Sequence, residues 1–124
     1  LAVGLLERNA LHGEPFNFGP QAQQNHTVIE LVQQMASYWD KVRWRDVSGS
    51  ENAPYESGML KLNCDKALEF LKWHAVMDFE ATVRMTVEWY KTYYQDPSKI
   101  PVCTGNQITD YTRLAGQKGL SWAL

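Results

Sequence analysis

"DFEATVRMTVEWYKTYYQD", residues 78–96, is the stretch whose reading decides the fold. Phe79, Val83, Val87, Tyr90 and Tyr94 recur three and four positions apart, which gathers them on one face of a helix. Asp78 stands where a side-chain oxygen can accept the first free backbone N–H groups, and Asp96, Pro97 and Ser98 end the run. The aromatic and aliphatic stripe reads as core, with Tyr93 and Tyr94 at its rim.

Working outward, "NHTVIELVQQMASYW" (residues 25–39) is a second helix of the same kind. Thr27 and Glu30 stand three positions apart, the spacing at which each side chain reaches the other's backbone N–H. Val28, Leu31, Val32, Met35 and Trp39 then share a face. A third helix starts at Cys64 under an Asn63 cap, buries Ala67, Leu68 and Leu71, and is plugged at its exit by Trp73. At the front, Leu1, Leu5, Leu6 and Ala10 read as the end of a helix that stops near Gly13, where glycine accepts the left-handed conformation. The opening residues lack Met and already lie inside that pattern, so the chain reads as a fragment. Ile108 to Ala115 reads as a short helix in the tail.

Three stretches alternate with period two instead. "PFNFG" (15–19), "KVRWRDV" (41–47) and "MLKLN" (59–63) read as short strands, with "SGSENAP" (48–54) as a loop. Helices separated by short strands predict an α/β class, α+β-like in detail, with about four helices. Residues 1–100 form the domain and 101–124 a tail. "PFNFG" is expected to pair with upstream sequence in the whole protein, and its exposed edge could drive self-association of the fragment.

Composition narrows the function classes. A chain of 124 residues suffices for one domain that hides roughly two thirds of its unfolded surface. With 44% hydrophobic and 21% charged residues it fits a globular class, not a disordered one. A net charge of −2 argues against broad binding to nucleic acid or an anionic membrane. No apolar run is long enough to cross a bilayer, and no signal peptide opens the chain. Cys64 and Cys103 are too few and too far apart for zinc or a redox pair, so they read as free thiols in the cytoplasm.

Chemistry-bearing motifs are few. The dinucleotide fingerprint G-x-G-x-x-G is absent, as are the phosphate loop, G-x-S-x-G and H-E-x-x-H. His12, His26 and His74 are scattered and read as surface or capping residues, because a metal site needs clustered partners. Lys41, Arg43 and Arg45 around Trp44 could touch nucleic acid, but read first as a solvated strand edge. Glu56 differs: it follows Pro54 and Tyr55 in a loop ahead of a strand, where side chains face ligands.

Several motifs fall in one order: F-N-F-G-P at Phe16 to Pro20, Tyr55-Glu56-Ser57, L-K-L-N-C-D-K-A at Leu60 to Ala67, Leu71 with Trp73, and T-V-E-W-Y at Thr86 to Tyr90. In this order the chain resembles the C-terminal portion of the CDP-glucose 4,6-dehydratases, in the NAD-dependent epimerase/dehydratase group of extended short-chain dehydrogenases/reductases. The resemblance implies a lyase of polysaccharide biosynthesis. Its N-terminal Rossmann half holds NAD and a Tyr-x-x-x-Lys pair; the sugar is oxidised at C4, water leaves across C5 and C6, and hydride returns to C6. By the same resemblance Glu56 faces the ribose as a hydroxyl acceptor, and Tyr55, where His is common, lines that wall. It implies that the missing Rossmann half is a partner, that CDP-glucose is the ligand, and that this chain alone binds no NAD and is inactive.

Lys72 stands where the family has Gly, His74-Ala75 lacks the usual Pro, and Asn63 replaces Asp. Another nucleotide-sugar epimerase or dehydratase, or a non-catalytic interaction module, are the alternatives.

Overall fold

The computed structural model describes residues 6–20, 24–46 and 62–123, and these are helical where they are regular. Four α-helices occur: α1 (Val28–Tyr38), α2 (Asp65–Leu71), α3 (Phe79–Gln95) and α4 (Ile100–Gln117), with 3-10 turns at Asn9–Leu11, Pro97–Lys99 and Ser121–Ala123. The chain divides into two compact units, one from Leu1–Asn25 with Glu56–Ala75, the other from His26–Tyr55 with Val76–Leu124.

The expected α/β class is corrected: no strand occurs among the described residues. "PFNFG" and residues 42–46 of "KVRWRDV" are irregular, as are Leu62 and Asn63, while residues 47 and 59–61 lie outside the described part. The physical reason is that alternation alone does not make a strand; a ladder partner must take the backbone N–H and C=O groups. Phe16 and Phe18 have partners of another kind, described below.

In the second unit α3 is the central helix, packed on both α1 and α4. The expected caps are present. Thr27 and Glu30 form a complete capping box at α1, and Asp78 accepts the Ala81 N–H at 2.8 Å at the start of α3. Val83 and Val87 are buried on one side of α3, and Met85 is buried two positions away, on the other. Two buried sides are what a helix with neighbours on both flanks needs. The stripe read as core is buried only at Val83 and Val87; Phe79 is half-buried, and Tyr90 and Tyr94 are 48% and 69% exposed. On the α1 side His26 stacks on Phe79 with ring centroids 3.7 Å apart, and Trp39 meets Tyr94 at 5.8 Å.

α3 and α4 form an antiparallel hairpin through the Pro97–Lys99 turn. The Gln107 amide donates to the Met85 carbonyl at 2.7 Å, and the Trp89 indole N–H to the Thr104 hydroxyl at 3.0 Å. The helix expected at 108–115 lies inside the 18-residue α4. Pro101 does not interrupt it, because in the first turn the missing N–H has no partner to lose. At the far end Trp122 stacks on Tyr111 at 5.9 Å.

Candidate functional site

In the first unit α2 holds the stretch 14–19, and its start differs by one residue from expectation. The helix begins at Asp65, whose backbone N–H is accepted by the Asn63 carboxamide oxygen at 2.8 Å. Its end is a left-handed turn at Lys72, φ 52°, and the Ala67 carbonyl accepts the N–H of Trp73 at 3.2 Å. That turn needs the conformation glycine adopts freely, and here lysine supplies it. Gly13, at φ 78°, turns the chain ahead of the held stretch.

Four contacts fasten 14–19 to α2 and its flanks. The Lys66 ammonium lies 2.6 Å from Glu14 Oε2 and 4.9 Å from the centre of the Phe16 ring. The Asn17 amide donates to the Asn63 carbonyl at 3.3 Å. Phe18 meets Trp73 edge-on, ring centroids 4.9 Å apart, so the Trp expected to plug the helix exit does so against an aromatic partner. Gly19 lies close as well: a Cβ there would meet Cys64 Sγ and Leu62 at 3.5 Å. Arg8 donates to the Phe70 carbonyl near the helix end. Sequence reasoning marked these residues as motifs but missed that Phe16 binds to α2, and Asn17 and Phe18 to its flanks. The signal was the pairing of an aromatic-rich stretch with a lysine at the second position of a helix.

Tyr55 and Glu56 lie outside the described residues. The three histidines are not brought together: His26 is on Phe79 and 3.9 Å from Glu30, and His12 and His74 are elsewhere. Among the described residues no group of three His, Cys, Asp or Glu could hold a metal. Two carboxylates are held below the usual range. Glu30 accepts the Thr27 backbone N–H, then its hydroxyl, with His26 adding a little; Asp96 accepts the Ser98 hydroxyl, then its N–H, with Lys99 nearby. Both are caps, and neither is poised for acid–base work.

No glycine-rich helix start of the kind that holds a dinucleotide occurs among the described residues. A pyrophosphate needs free N–H groups at a glycine-rich helix start. Here the chain's own side chains accept one such group at each of three starts: Thr27 from Glu30 at α1, Asp78 from Ala81 at α3, and Asp96 from Ser98 ahead of α4. Two of these three acceptors are carboxylates, which repel phosphate. No helix among the described residues is long and apolar enough to cross a membrane.

No family model and no solved structure matches the chain. It is 32% identical over 112 residues, 90% of its length, to a curated protein of Salmonella typhimurium strain LT2, and spans 30% of that protein's length. A match of that extent takes in both the stretch held by Lys66 and the helix that holds it. The relative along which these residues align is a CDP-glucose 4,6-dehydratase, and it is to part of that enzyme that this chain is similar.

Proposed function

We propose that this chain is the substrate-binding part of a nucleotide-sugar 4,6-dehydratase that converts CDP-glucose to CDP-4-keto-6-deoxyglucose. The observation that carries the reading is the 32% identity along 90% of the chain. The ordered motifs from Phe16 to Tyr90 support it. In this reading residues 1–100 grip the nucleotide sugar. Glu56 accepts hydrogen bonds from the ribose hydroxyls, and Tyr55 lines the same wall. NAD and the catalytic Tyr-x-x-x-Lys belong to an N-terminal Rossmann half, the chain's partner in a cytoplasmic lyase.

Glu56→Ala in the full-length protein tests the assignment. A carboxylate that holds bound sugar equally in ground and transition states sets KM and leaves kcat alone. The expected result is a KM for CDP-glucose raised roughly tenfold, the size of one charge-assisted hydrogen bond. An unchanged KM removes Glu56 from the site.

A second reading, a non-catalytic interaction module, has in its favour the exposed tyrosines Tyr90, Tyr93 and Tyr94 at the end of α3. Saturable binding of a nucleotide sugar by the full-length protein excludes it.

A further inference from the structure

We propose that His26 is a proton-sensitive clasp between the start of α1 and the start of α3, tighter when its imidazole is charged. Its ring lies face to face with that of Phe79, with centroids 3.7 Å apart and planes within 16° of parallel. Its Nδ1 is also 3.9 Å from Glu30 Oε2. The neutral ring keeps only the stack. The charged ring adds two attractions, one to the Glu30 carboxylate and one to the face of the Phe79 ring. Histidine is the side chain whose charge ordinarily changes between about pH 5 and 8, so the clasp responds within the physiological range.

The charges around the imidazole fix the sign of the response. From α1 it faces Glu30, which lies in the first turn of that helix. From α3 it meets Phe79, flanked in the sequence by Asp78 and Glu80. Both carboxylates are held at that end, Asp78 by the Ala81 N–H and Glu80 by the Tyr38 hydroxyl. Opposing them are two helix N-termini, each equivalent to about half a positive charge. Three carboxylates outweigh about one positive charge, so a cation is favoured between the two helix starts. Glu30 responds in kind, since His26 is one of the causes that hold its carboxyl low. More protons are bound with the clasp closed than open, and closure therefore weakens as pH rises.

Hydrogen exchange at the amides of α1 tests this in the full-length protein, at about pH 5.5 and about pH 7.5, with each rate referred to the intrinsic rate at that pH. The ordinary range of carboxylates lies below this window, so histidines carry the change. Wild type is expected to lose about fivefold in protection between the lower and the higher pH, the size of an exposed cation–ring contact with an exposed ion pair. His26→Phe keeps a ring to stack on Phe79 and has no proton to gain, and equal protection at the two pH values is expected. Glu30→Gln keeps an acceptor for the Thr27 cap while removing the charge, and is expected to shrink the change to about twofold. Equal protection of wild type at both pH values overturns the proposal. So does a loss that persists in full in His26→Phe, which would assign it to His12, His74 or a group outside α1.

Discussion

Trp89 on α3 donates its indole N–H to the hydroxyl of Thr104 on α4 at 3.0 Å, and this bond lies on the seam of the helical hairpin. Both residues are half-buried, so water replaces the bond only in part. Trp89→Phe keeps most of the ring and loses the donor, which costs about 1 kcal/mol. Trp89→Ala also removes the ring packed on Tyr93 and costs about 3 kcal/mol. Urea unfolding with Thr104→Ala as the second arm of a double-mutant cycle checks this. Strictly additive effects would mean that the bond contributes nothing.

Lys72 carries the one positive φ among the described non-glycine residues. A left-handed conformation costs a residue with a Cβ roughly 1 kcal/mol, and glycine is free of that cost. Lys72→Gly is therefore expected to stabilise the chain by about 1 kcal/mol, less the extra freedom glycine brings to the unfolded state. A thermal melt that falls below wild type would contradict the turn described here.

Glu30 and Asp96 are both favoured as anions in the fold, so both titrate below their ordinary pH range. Their contribution is complete above the ordinary carboxylate range and fades as pH falls through the lowered folded values. Melting temperature should be flat from about pH 7 to 5 with respect to these groups and should decline below about pH 4. Thr27 supplies the bonds that lower Glu30, through its backbone first and its hydroxyl second. Thr27→Ala should therefore make the acid decline shallower. An acid limb identical to wild type would remove the hydroxyl from the account.

What the sequence disclosed followed from local physics. The capping box at Thr27, the Asp78 cap and the stop at Asp96 each depend on residues within four positions of one another, and each is present. The strands were misread because alternation at "PFNFG" is also what results when Phe16 packs under Lys66, Phe18 packs on Trp73, and Asn17 between them reaches a carbonyl. Those partners lie some fifty residues away, beyond the reach of periodicity. α4 begins eight residues ahead of the helix expected at 108–115, through Pro101 and Gly105. A first-turn proline costs a helix nothing, and an interior glycine such as Gly105 costs only about 1 kcal/mol against eighteen residues of helix. The candidate site was legible only as a resemblance. Tyr55 and Glu56, the residues it named, fall outside the described residues.

The central claim, that this chain forms part of a nucleotide-sugar dehydratase, is tested most directly by offering the full-length protein CDP-, UDP-, dTDP- and GDP-glucose and following the 4-keto-6-deoxy product, with the 124-residue chain assayed beside it. The account expects product from CDP-glucose in preference to the other three, and none from the 124-residue chain alone. Product from none of the four, or turnover by the short chain unaided, would contradict it.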